Sequence, residues 1–369
     1  MIKYLGSKRT LLPQIVAAVG AISGAASVLD VFSGTSRVGH ALKAAGYRVI
    51  ANDHNAYAAT LARCYVQADD DLAADAAVLV QELNALPGRA GYFTETFCVR
   101  SRYLQPHNGE RVDAVREAIA AKSLPPDLEA VLLVSLMEAA DRVDSTTGLQ
   151  MAYLKQWAPR SFNRLTLRVP ALLPRSPHGR GEAHQLDALD AASRLRADVV
   201  YLDPPYNQHS YLGNYHVWES LVRWDKPPVY GVACKRLDVR ERVSPYNSRA
   251  KCAAELRRLL DAVAAGRPKA VIVSFSNEGY VARDAMERML GSLWDGTARV
   301  QTVEHDYRRY VGAQIGIYNP RGQKVGRVSH LRNKEYLYVA TPADAAVELA
   351  SVAPKPKRKS RRAAAVTSR

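Results

Sequence analysis

The segment "SVLDVFSGTSRVGHALKAAGYRVIAND", residues 27–53, most restricts what this chain can fold into. An apolar run ends on an acid and a Gly- and Ser-containing loop follows. Val38, Ala41, Leu42 and Ala45 then recur at helical spacing before Gly46 stops the pattern. "YRVIAND" reads as a second strand. Strand, helix and strand within about 25 residues make a βαβ unit, whose two strands are parallel neighbours joined by a right-handed crossover.

The rest of the chain extends that unit. "TLLPQIVAAVGAI" is helical and precedes it, and a helical hairpin is expected over 56–86. The α/β pattern resumes with "GEAHQLDAL", the helix "DAASRLR" and the buried strand "ADVVYLD". The helix "KCAAELRRLLDAVAA" and the strand in "KAVIVSFSNEGY" come next. Two late strands, in "ARVQTVEHDYRRYVGAQIGIYN" and "KVGRVSHLRNKEYLYVAT", are joined through "NPRGQ", which suits a hairpin turn. Residues 87–174 change character to amphipathic helices and a basic, aromatic stretch, "APRSFNRLTLRVP". The expected fold is α/β, a Rossmann-like sheet with helices on both faces and a mainly helical inserted region. Its parts are 1–86, the insertion 87–174, 175–345 and a basic disordered tail, 346–369.

Composition bears on the partner. Of a net charge of +15, 7 charges lie in the acid-free end "APKPKRKSRRAAAVTSR", and the remaining 8 still leave the body basic. A polyanion is therefore expected, nucleic acid ahead of anionic membrane. An apolar fraction of 47% with 24% charged residues suits a folded soluble protein and no membrane partner. Cys64, Cys98, Cys234 and Cys252 are scattered, suggesting neither a zinc site nor a disulfide framework, and fitting a reducing cytoplasm. "KR" before "TLLPQIVAAVGAISGAA" has the outline of a secretory signal, but Pro13, Gln14 and the Gly/Ser content weigh against one.

Ligands of open α/β sheets bind beyond the carboxyl ends of the strands. Three polar clusters fall there: "LDVFSGT" at 29–35, "ND" at 52–53 and "LDPPY" at 202–206. The first lacks the spacing of dinucleotide and P-loop glycines. It offers Asp30 at a strand end, Phe32 as an apolar wall and Gly34 for close backbone approach. Asp53 is placed to accept from two ribose hydroxyls. A cationic ligand carrying adenosine, S-adenosylmethionine, fits this set better than a pyrophosphate does. Singly, Asp30 or Asp53 reads equally well as a turn former.

In "DPPY", Pro204 and Pro205 fix their own φ and bias Asp203 and Pro204 toward extended geometry. Pro204 has no N–H, so its carbonyl stands as an acceptor beside the acceptor-only carboxylate of Asp203. Two adjacent acceptors match the two hydrogens of a planar amine, and Tyr206 adds an aromatic face for a flat base. Methyl transfer to an exocyclic amine needs this set: hydrogen bonds to both N–H groups favour a tetrahedral nitrogen and aim its lone pair. Neither a metal nor a covalent nucleophile is required. The plainer alternative is a proline-rich turn over a buried tyrosine.

Together these motifs resemble the Dam-type alpha group of DNA adenine-N6 methyltransferases, which includes restriction-modification enzymes of the FokI type. The resemblance covers most of residues 1–340 and implies the methyltransferase form of the Rossmann-like sheet. "KYLGSKR" is similar to the family's N-terminal motif, implying that Tyr4, Gly6 and Lys8 join the cofactor site. "LDVFSGT" looks like the cofactor loop, with Asp30 where many members carry another acid or polar residue. Asp53 matches the ribose-binding acid, Asp187 of "QLDAL" the approach to the cofactor adenine, and "DPPY" the catalytic motif. "SFSNEGY" resembles a strand near the base pocket. Implied partners are double-stranded DNA, with the adenine flipped onto Tyr206, and a prokaryotic cytoplasmic setting that leaves room for a companion restriction endonuclease. DNA contacts are expected from the insertion, from "NQHSYLGNYH", and from Arg308, Arg309, Arg321, Lys324, Arg327 and Arg332 with Tyr307, Tyr310 and Tyr318. Rival readings are a cytosine-N4 or RNA adenine methyltransferase and a non-catalytic DNA-binding relative.

Overall fold

The computed structural model describes residues 1–308 and 332–345. The run β1 (Ser27–Asp30), β2 (Arg48–Asn52), β3 (Glu182–His184) and β4 (Val199–Leu202) supplies the first four strands of the main sheet. β5 (Val229–Tyr230) and β6 (Lys235–Arg236) form a separate hairpin. β7 (Ala270–Ser276), β8 (Arg299–Arg308) and β9 (Arg332–Thr341) complete the main sheet. Its order is β3-β2-β1-β4-β7-β9-β8, parallel from β3 to β7, with β9 antiparallel to both of its neighbours.

The alternation of side chains explains why both faces are covered. Val199 and Tyr201 of β4 and Ala270 and Ile272 of β7 pack on the side of the helices Leu12–Gly20 and Arg37–Ala44. Val200, Leu202, Val271 and Val273 point the other way, against the helices Ala188–Arg194, Cys252–Ala265 and Arg283–Gly291. Parallel strands buried on both faces read as unbroken apolar runs, as these do. The βαβ unit forms as expected, with β1 and β2 in parallel register.

β1 lies between β2 on one side and β4 on the other. The strand order reverses there, and such a switch point leaves a crevice at the carboxyl ends of the two strands. Asp30 closes β1 and Asp203 follows β4, so both acids reach that crevice.

No strand forms between Asp53 and Gly181. The helices Ala56–Ala62, Ala73–Ala85, Pro106–Ala121 and Pro126–Arg142 share one apolar core, in which Tyr57, Leu132 and Met137 meet Trp218 from the helix His216–Arg223. Asp113 fastens the start of the short helix Tyr92–Thr94: its carboxylate accepts from the backbone N–H groups of Gly91, Phe93 and Thr94 at 3.0, 2.9 and 2.8 Å, and from the Thr94 hydroxyl. The "NPRGQ" turn, the basic tail and most of the basic, aromatic stretch before β9 lie outside the described residues.

Candidate active site

A cavity of about 370 Å³ opens at the switch point, within the range of sites for small organic ligands. One wall is aromatic. Tyr4 stacks on Tyr215 at 4.6 Å and on Tyr211 at 5.2 Å between ring centroids, and its hydroxyl lies 3.1 Å from that of Tyr57. The turn through Gly6 lets this wall form: φ is +73°, and a Cβ there would come within 3.1 Å of the Tyr211 hydroxyl. Opposite, Phe32 meets Tyr246 edge to face at 5.3 Å.

The loop after β1 forms the floor. Gly34 has φ +50°, and a Cβ on it would sit 3.4 Å from the Tyr4 ring. The Asp53 carboxylate accepts from the Gly34 N–H at 3.0 Å and from the Asn55 N–H at 2.9 Å, tying the ends of β1 and β2 together. Asp187 accepts from the Leu189 N–H at 2.8 Å as cap of the helix Ala188–Arg194 while it lines the cavity. Asp30 is 1% exposed, and its carboxylate has no side-chain partner, the Phe32 N–H being the donor that faces it. Burial, then the charges of Asp203 and Asp53, raise its carboxyl well above the ordinary range and favour the neutral acid. Burial also raises Asp53, against the pull of its two N–H donors.

At the far end Asp203 sits 20% exposed, with the Lys8 ammonium 3.0 Å from its Oδ1. Lys8 also pairs with the carboxylate of Glu335, which in turn accepts from the Ser274 hydroxyl at 2.9 Å. Burial drives the Asp203 carboxyl up to about 6; Lys8 resists this and Glu335 adds to it. For Lys8, burial opposes the charge, but Asp203 and Glu335 outweigh it and hold the ammonium well above its usual range. Tyr206 packs on Phe275 at 5.6 Å, with the Lys8 ammonium 5.9 Å from its ring centroid.

The cavity therefore gathers Tyr4, Gly6, Lys8, Asp30 and Phe32 with Gly34, Asp53, Asp187, Asp203 and Pro205, residues expected at the site from sequence. Pro204 is buried and Tyr206 half-buried, and neither lines this cavity. The loop after "DPPY" is braced from within: Asn247 donates to the carbonyls of Asn207 and His209 at 2.6 and 3.1 Å. Glu335 and Tyr246 are additions that the sequence motifs did not single out, and Ser274 opens the "SFSNEGY" stretch that the resemblance had put near the base pocket.

Residues 4–265 match the family model of the D12 class N6 adenine-specific DNA methyltransferases. The chain belongs to this family. Among curated relatives it is 28% identical to the modification methylase StsI of Streptococcus sanguinis, over 85% of this chain and 49% of the relative. It is 28% identical to the type II methyltransferase M.NlaIII of Neisseria lactamica, over 90% and 99%, and 27% identical to M.FokI of Planomicrobium okeanokoites, over 79% and 47%. The chain thus spans about half the length of the StsI and FokI methylases and nearly all of the NlaIII enzyme. The matched span takes in "DPPY", which the strand pattern had placed at the carboxyl end of a strand and which follows β4 at the switch point.

Proposed function

We propose that this chain transfers a methyl group from S-adenosylmethionine to the N6 amine of adenine in double-stranded DNA, in a restriction-modification setting. The observation that carries the reading is the convergence of Asp203 with Asp30 and Asp53 on one cavity at the switch point of a D12-family sheet.

The residues present suit the cofactor. Tyr4 and Phe32 bound an aromatic and apolar slot, Asp53 stands at the end of β2 for ribose hydroxyls, and Asp187 lines the same space. The Asp30 carboxyl, buried without a side-chain partner, gives a polar group that a ligand would satisfy. S-adenosylmethionine supplies an electrophilic methyl on a sulfonium. The protein's part is to present the amine. Asp203 and the Pro204 carbonyl accept from the two N–H groups, localising the lone pair on N6. On transfer the N–CH₃ bond would form as the S–CH₃ bond broke, with the electron pair staying on sulfur and the surplus N6 proton passing to solvent, which reaches the 20% exposed Asp203. Tyr206, beside Asp203, offers its ring to a base taken out of the stack.

For the duplex, the helical insertion 87–174 is the recognition region in this reading, and the strap that leaves it is the best-supported contact face. Residues 145–181 contain six Lys or Arg and no acid. They run irregularly across the surface apart from the turn Pro159–Phe162. Structureless loops of this length in a compact domain are mostly functional. Met151 and Phe162 are 49% and 64% exposed among the exposed Lys155, Arg164 and Arg168, and Arg102 lies over the Trp157 ring at 4.6 Å. The strap joins the cavity mouth, because the Gln150 N–H donates to the Asn214 carbonyl, one helical turn from Tyr211. An exposed phenylalanine and methionine among cations suit phosphate contact and insertion beside bases.

The test is mass spectrometry of nucleosides after incubation of the protein and S-adenosylmethionine with duplex DNA, and separately with RNA. N6-methyladenine in duplex DNA is expected. N4-methylcytosine, product only in RNA, or DNA binding without methyl transfer would replace the reading with one of its rivals.

A further inference from the structure

Lys8 engages one oxygen of the carboxylate that the target amine needs, and so competes with the amine for its charge. Its ammonium lies 3.0 Å from Asp203 Oδ1, and it is 7% exposed, so water offers little in exchange if it leaves. Its second partner, Glu335, is 4% exposed and comes from the antiparallel strand β9, where it faces Ser276 of β7 in register. The Ser274 hydroxyl, 2.9 Å from Glu335 Oε1, fixes that carboxylate on the Lys8 side. The seat thus contains two carboxylates and one ammonium.

Resting on the adenine-methylation reading, we propose that Glu335 is a positioning residue which retains the Lys8 ammonium when the target amine takes its place on Asp203. Two consequences follow from charge. With Lys8 held by Glu335, Asp203 accepts the amine at full strength. The seat also keeps a net negative charge beside a nitrogen that becomes positive as the N–CH₃ bond forms, and fixed charge placed where charge develops lowers the barrier. Without Glu335, the same ammonium is left to Asp203 alone, and the seat is neutral.

The test compares Glu335→Gln with the unaltered protein in single-turnover methylation of duplex DNA across pH, alongside S-adenosylmethionine binding by calorimetry. Glu335→Gln is expected to slow transfer by about tenfold or more at saturating substrates. Cofactor affinity should stay within a few fold, and the acid limb of the rate profile should move to lower pH, because removing a negative neighbour makes Asp203 easier to ionise. Ser274→Ala should shift rate and limb in the same directions by less. An unchanged rate, an unmoved acid limb, or a slower rate accompanied by lost cofactor affinity would each overturn the proposal. Failure of the methylation reading shows separately, as absence of methyl transfer by the unaltered chain.

Discussion

Methyl transfer by this chain should fall away as pH drops through about 6, the value to which burial raises the Asp203 carboxyl. Only the ionised carboxylate is a pure acceptor for an amine; the acid presents an O–H of its own. A midpoint of about 6 leaves about 90% of the enzyme ionised at pH 7, half at pH 6 and about a tenth at pH 5. The second-order rate, which reports the free enzyme, should therefore fall about tenfold between pH 7 and pH 5. In the cofactor-bound protein the limb should lie lower, since a sulfonium cation favours the carboxylate. The assay is transfer of a labelled methyl to a duplex oligonucleotide at fixed ionic strength, with thermal unfolding measured at each pH. The sign of the linkage separates the two readouts. An acid raised from 3.8 to about 6 on folding adds stability that is full below the lower value and lost as pH rises through the upper. Asp203 therefore makes the fold no weaker at pH 5 than at pH 7 while activity declines. Asp203→Ala should lose about 10²–10³ in rate with DNA affinity within a few fold. A flat rate between pH 7 and pH 5, or full transfer by Asp203→Ala, would refute the assignment.

Two further perturbations address other layers of the molecule. Asp53→Ala removes the acceptor that ties Gly34 and Asn55 together, and should weaken S-adenosylmethionine binding by about ten- to a hundredfold in calorimetry, with DNA affinity little changed. Asp113→Ala strands three backbone N–H groups and should cost about 3 kcal/mol in chemical denaturation, while cofactor binding persists at low temperature.

How much of this could be read from sequence depended on whether a residue's role was set locally. "LDPPY" was legible because an apolar strand running into two φ-locked prolines admits few backbone paths, and the strand does end at Leu202. Asp30, Phe32, Gly34 and Asp53 were legible because one βαβ unit fixes them all. Tyr4 and Lys8 carry no such local signal and emerged through the family resemblance alone. Glu335 stayed hidden: in "RNKEYLYVAT" it closes the polar run that begins at Arg332, ahead of the apolar residues, and reads as solvated. Pairing with β7 turns it onto buried Lys8, and that register is long-range information. Likewise Tyr246 follows a stretch with no periodicity, and only the packed chain brings it to Phe32. The helices around 56–142 were visible as patterns, but their shared core with Trp218 was not, because that contact joins segments about 80 or more residues apart.

The pairing of Lys8 with Glu335 spans 327 positions of sequence. A ribosome thus finishes the cofactor loop and "DPPY" long before it delivers the carboxylate that completes the seat. On the reading proposed above, transfer at full rate waits for β9 to pair with β7, the step that brings Glu335 to Lys8 across nearly the whole length of the chain.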